Sequence, residues 1–299
     1  MGKGARLGGL PVLLLGVLAF LAQPVSNPAH GQGAFPAPEL RVFVSILPQL
    51  YFVERVGGGR VQAEVLVQPG QDPHTFDPTP RQMASLARTQ LYLRIGLPFE
   101  NSLVPKLKEA VKNLAVVDTS AGVPLLPLEE GNGPQGLGAT DPHIWLDPKL
   151  VMIQARTIRD SLIRLDPPGR LEYEAGYARF QADLERLDGI IRRALAPLRG
   201  KELFVFHPAF GYFAAAYGMK QVAVETGGKS PSARQLTRLI EQARRRGVRV
   251  IFVQSQFSQK SAQAVAEAIG GAVIPLDPLA RDYLRNLEEM ARRIEAALR

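Results

Sequence analysis

Between Pro168 and Leu198 the chain carries one continuous helical stripe. Tyr173, Tyr177, Phe180, Leu184, Leu187, Ile191 and Leu195 recur at steps of three and four, which puts them along one side of a helix. Pro168 suits the first helical turn, where its missing N–H is no loss. Apart from glycines and one late proline, nothing in the stretch breaks a helix. At 1.5 Å per residue some 30 residues span about 45 Å, the length of a whole lobe. A hinge of two or three extended strands would need a different sequence here. The stripe therefore predicts a rigid bridge between two halves.

Each half has the rhythm of βαβ units, with short β-branched runs alternating with helical patterns. In the first half, strands are predicted at 41–47, 61–67, 91–96 and 115–118, with helices near 48–57, 79–88 and 99–112. Residues 122–140 break every periodicity and read as a loop. In the second half, strands are predicted at 202–206, 220–225, 248–253 and 272–275, with helices at 210–217, 232–246, 258–269 and 282–298. The fold class is α/β: two lobes, each a parallel-type sheet flanked by helices, bridged by one long rigid helix. The expected boundaries are 32–166 for the N-terminal lobe, 167–199 for the linking helix and 200–299 for the C-terminal lobe.

Residues 1–31 are a different object. A short basic start, "MGKGAR", precedes the apolar run "LGGLPVLLLGVLAFLA" and a small-polar tail. That order reads as a cleavable signal peptide, with Ala29-His30-Gly31 as a cleavage site; the run of 16 residues is slightly short for a membrane span. Cleavage removes Lys3, Arg6 and no acid, so the formal net charge falls from +8 to +6. The remaining excess is spread along the chain, and no basic stripe with interleaved aromatics asks for nucleic acid. There is no cysteine, hence no disulfide, no thiolate ligand and no lipid-modified cysteine tether. An exported, untethered, soluble chain suits a periplasm.

Cleavage also removes His30 and leaves three histidines, all in similar settings. His74 lies in "QPGQDPHTFDPTP", His143 in "DPHIWLDP" and His207 in "LFVFHPAFGYF". Each occupies a proline-stiffened loop or a strand end, and none a helix face. In open α/β sheets ligands bind at strand carboxyl ends, and neutral imidazole is a common metal ligand. Asp277, in "VIPLDPLA", has the same placement and could complete a tetrahedral shell, although alone it reads as an N-cap. Pattern alone leaves two readings standing: structural hydrogen-bonding groups, or a converging metal site. Other chemistry is poorly served. There is no Gly-x-Ser-x-Gly, no HExxH and no GxxxxGK[ST]. "GGG" at 57–59 is a turn, and "TGGKSPS" (226–232) reads as a loop with Ser230 capping a helix.

Taken in order, "PGQDPHTFDPTP", "DPHIWLDP", "HPAFGYFAAAYGM" and "PLDPLA" resemble the landmarks of periplasmic solute-binding proteins of zinc and manganese ABC transporters. The resemblance runs from about residue 40 to the C-terminus. It implies two α/β lobes joined by a rigid helix, with a metal held in the cleft between them. His74 and His143 would come from the N-terminal lobe, His207 and Asp277 from the C-terminal one. It also implies a receptor, not an enzyme, acting as a monomer with a membrane permease as partner. A histidine at the third landmark points to Zn²⁺, with Mn²⁺ or iron as alternatives, because Mn²⁺ favours oxygen-rich shells.

Two departures stand out. The histidine-rich collector loop of many zinc receptors is missing before His143. Gln254 replaces an expected acidic residue, and no role is assigned to it. Asp72, Asp77, Asp141, Asp147 and Glu225 are candidates for supporting the imidazoles. The rival reading is a metallohydrolase with water as fourth ligand and Asp277 as base.

Overall fold

The computed structural model describes residues 40–127, 140–224, 233–254, 256 and 259–299. The segments 1–39 and 225–232 lie outside it, and with them the signal-peptide reading, Ser230 and Glu225.

The first half folds as β1 (Leu40–Val44), α1 (Leu47–Gly57), β2 (Val61–Val65), α2 (Pro80–Leu86), β3 (Leu91–Arg94), α3 (Glu100–Ala110) and β4 (Ala115–Asp118). Its four strands are all parallel, in the order β2-β1-β3-β4, with Leu40 opposite Val61, Val42 opposite Leu91 and Leu91 opposite Ala115. Two long helices follow, α4 (Pro148–Leu165) and α5 (Arg170–Leu195), joined by a 3₁₀ turn at Pro167–Gly169. The second half is β5 (Glu202–Val205), α6 (Gly211–Ala216), β6 (Lys220–Ala223), α7 (Ala233–Arg245), β7 (Val250–Val253), α8 (Gln259–Ala268), β8 (Ala272–Pro275) and α9 (Tyr283–Leu298). Its sheet is parallel in the order β6-β5-β7-β8. The two sheets thus share one topology. In each, the strand order reverses between the first and third strands, the place where open α/β sheets bind ligands.

The local chemistry accounts for these elements. Thr79 and Gln82 form a reciprocal capping box at the start of α2, which satisfies two of its free N–H groups. Gln82 Nε2 also donates to Leu66 O at 2.6 Å, tying α2 to the end of β2. In β5 and the residue after it, Leu203 and Val205 face the core shared with α5, whereas Phe204 and Phe206 face a smaller cluster with Ile251, Val253 and Val265. That alternation is the period-2 signature of a strand covered on both faces.

Helix α5 buries Tyr173, Gly176, Phe180, Leu184, Leu187, Ile191 and Leu195. Tyr177, placed in the same stripe by the sequence, lies at its edge under the Arg159 guanidinium, 4.6 Å from the ring centroid. The helix packs on α1, α4 and α9. Gly176 permits the α1 contact, since a Cβ there would stand 2.3 Å from Val56 O.

Helix α4 does not appear in the sequence reading. Its buried face includes Gln154 and Ser161 among Val151, Ala155, Ile158 and Leu162. Those two polar residues interrupt the apolar period that would have announced it.

The halves meet along an apolar, hydrogen-bonded seam. Trp145 Nε1 donates to Pro278 O at 2.8 Å, and Tyr283 Oη donates to Trp145 O at 2.7 Å. The Tyr283 ring meets Phe52 edge-on, 4.9 Å between centroids. One core cluster runs from Leu40 to Ile294 through both halves.

Candidate metal centre

Each histidine is fixed by its own local chemistry. His74 lies in the loop between β2 and α2, where Asp72 Oδ1 accepts its backbone N–H at 2.9 Å. Phe76, two residues on, packs edge-on against Phe99 at 5.0 Å and anchors the loop. His143 precedes α4. Asp141 Oδ1 accepts both its backbone N–H at 2.9 Å and a hydrogen bond from Nδ1 at 2.6 Å. Proton on Nδ1 means a lone pair on Nε2, the arrangement of a metal-ligating imidazole. Asp141 is held in turn by Tyr212 Oη, which donates to its carbonyl at 3.0 Å. A Cβ on Gly211 would lie 2.6 Å from Asp141 Oδ2, so glycine leaves room for that carboxylate. His207 follows β5, buried like His143, while His74 is half-buried.

The three rings converge. Centroid separations are 4.8 Å for His74–His207 and 5.4 Å for each of the pairs with His143. One ligand nitrogen from each lies within 4.8 Å of the others. Nε2 of His74 and Nε2 of His207 are 3.1 Å apart. Two nitrogens on a tetrahedral zinc, at 2.0–2.1 Å from the ion, would be about 3.3 Å apart. That pair already stands close to the edge of such a tetrahedron. Burial, with the neighbouring His143 and His207 imidazoles, pushes the His74 pKa down to about 2. The ring is therefore neutral throughout the physiological range, the form in which an imidazole can bind a metal.

The other candidates fall elsewhere. Asp277 follows β8 and is not part of the converging group among the described residues. Its Oδ1 accepts the Leu279 N–H at 2.9 Å and Gln256 Nε2 at 3.4 Å. It lines a cavity of about 650 Å³ between the halves, together with Gln68, Pro69, Gly70 and Arg281. Asp72 braces backbone, not an imidazole. Asp147 caps α4 by accepting Lys149 N–H at 2.8 Å, and burial raises its pKa. Asp77 is exposed.

Gln254, given no role above, grips the His207 backbone at both ends: Oε1 accepts its N–H at 3.3 Å and Nε2 donates to its C=O at 2.9 Å. It directly follows β7 (Val250–Val253), but nothing in the sequence says that this strand lies beside β5. Gly211 and Tyr212 were also passed over, and "HPAFGYF" carries no mark of their contact with Asp141.

The model of the family described as "zinc-uptake complex component A periplasmic" matches residues 42–297. The chain belongs to that family. Members are receptors that bind a solute, not enzymes. A crystal structure of ZnuA superposes with a TM-score of 0.81 at 42% identity, covering 86% of this chain and 98% of that one. A zinc-bound deletion mutant of ZnuA gives 0.80 at 43%, covering 86% and 97%. The high-affinity zinc uptake system protein ZnuA of Bacillus subtilis is 27% identical over 265 residues, 85% of this chain and 83% of its own length. The likeness takes in the two parallel sheets and the long helix between them.

Proposed function

We propose that this chain is an extracytoplasmic receptor that captures Zn²⁺ and hands it to the membrane permease of an ABC transporter. The observation that carries this reading is the convergence of His74, His143 and His207 from both halves, with two Nε2 atoms at 3.1 Å. Three nitrogen donors form a zinc-type set and leave one position open. Asp277 supplies the fourth ligand from the C-terminal lobe, by a local turn of its carboxylate away from Gln256. A shell closed by protein leaves no water to activate, which separates a receptor from the hydrolase reading. His207 favours zinc over manganese, for which a carboxylate would be the better donor. The lobes span 32–166 and 200–299, with 167–199 as connector. Residues 1–31 act as a cleavable signal peptide that directs export, and the mature chain acts in the periplasm as a monomer.

Competition titration of the metal-stripped mature chain with Zn²⁺ and Mn²⁺ tests this. One tight zinc per chain is expected, with manganese orders of magnitude weaker and zinc weakened in Asp277→Ala. Comparable or tighter manganese binding would overturn the metal assignment. An unchanged Asp277→Ala would remove Asp277 from the shell. Binding of neither metal would end the receptor reading.

A further inference from the structure

Strands β5 and β7 flank the point where the order of the second sheet reverses. They pair through Val205 and Phe252, and Phe206 N–H donates to Phe252 O at 2.8 Å. At the next residue the partner of the backbone is a side chain. Gln254, with no exposed surface, accepts the His207 N–H and donates to the His207 C=O. A carboxamide offers the same acceptor and donor as a peptide unit. It therefore acts as a surrogate rung, tying the backbone of His207, just past the end of β5, to the residue that directly follows β7. His207 is the histidine that the C-terminal half contributes, so this rung joins the sheet to the centre.

We propose that Gln254 is a positioning residue for zinc capture: it holds His207 in its ligating place before the ion arrives, and it does so through its amide chemistry. Freedom removed in the metal-free state is not lost again on binding, so a pre-set imidazole binds more tightly. The chemistry is specific to glutamine. A carboxylate at this position accepts the N–H but has no proton to donate to the carbonyl, and it buries a formal charge. A methionine keeps the length and makes neither bond. The proposal rests on the zinc reading above.

The test uses Gln254→Met and Gln254→Glu in the mature chain, compared with the parent by zinc competition titration, zinc dissociation rate, thermal melting and the visible spectrum of the Co²⁺-loaded protein. Loss of an outer partner of a metal ligand weakens affinity about 10- to 100-fold, and that is expected for Gln254→Met. Its dissociation should be faster and its Co²⁺ bands altered, with Gln254→Glu in between. A Gln254→Met protein with parental affinity, off-rate and Co²⁺ spectrum overturns the proposal, even if its melting temperature falls.

Should the variants not fold, exchange of the His207 amide in the metal-free parent decides: protection supports the rung, and exchange at the rate of an open loop sinks it. If the parent itself binds no zinc, the zinc reading fails and the proposal falls with it. Parental binding with an unaffected Gln254→Met refutes the rung alone.

Discussion

At the scale of single residues, the centre is a set of imidazoles each held by something other than metal. Asp141 serves His143 twice, through the backbone N–H and through Nδ1. Asp141→Ala is predicted to weaken zinc binding about 10- to 100-fold, while the chain remains folded; isothermal or competition titration reads this directly, and an unchanged affinity would contradict it. His74 gives a second expectation. Its folded pKa, about 2, lies below the usual histidine value of 6.5. Between those values the unfolded chain binds more protons than the folded one, so the His74 contribution makes stability rise with pH. Metal-free protein should lose stability as pH falls from about 6.5 towards about 2. His74→Gln should flatten that part of the curve in melts taken across it; an equally steep curve would assign the effect to other groups.

The three histidines were legible because proline-stiff loops at strand ends are visible as text. Asp141 was legible as one of five acids, without a way to choose it. Gln254 was not, because its role depends on which strand lies beside β5, a fact of topology and not of local pattern.

At the scale of elements, the strands were readable from their β-branched runs, and the 26-residue α5 from its stripe. Helix α4 was hidden by polar residues on its buried face. The glycines of α5 show how packing overrides propensity. Alanine is the better helix former by about 1 kcal/mol. At Gly189 the nearest atom to an added Cβ is the tip of Arg193, at 3.4 Å. A flexible side chain yields, so Gly189→Ala should stabilise by about 0.5–1 kcal/mol. At Gly176 the Cβ would strike the backbone oxygen of Val56 at 2.3 Å, and α1 cannot swing aside without opening the core. Overpacking of this kind costs about 1–3 kcal/mol, more than propensity returns. Gly176→Ala is therefore predicted to lower the melting temperature and Gly189→Ala to raise it. Denaturant midpoints for the two variants check the signs, and a stabilised Gly176→Ala would mean that α1 and α5 do not approach so closely.

At the scale of the molecule, the question is how far the halves move when zinc binds. A hinge of loose strands would allow a wide swing, but here the connector is a helix buried against α1, α4 and α9. The seam adds the Trp145–Pro278 and Tyr283–Trp145 bonds and a core continuous from one half to the other. Opening the halves would break those bonds and expose apolar surface at about 25 cal/mol per Å², so the smaller motion of loops and side chains wins. Trp145, the single tryptophan, sits between the two regions: its ring is 5.2 Å from that of His143, and its N–H reaches across the seam. Zinc should accordingly change Trp145 emission, because the adjacent imidazole acquires a cation, while the radius of gyration from solution scattering stays unchanged. Zinc at 100 times its dissociation constant should also add about 2.7 kcal/mol of stability, seen as a higher melting temperature that is lost in His207→Ala. A clear contraction in scattering on zinc addition would show that the seam opens in the metal-free state and that the helix does not restrain the halves.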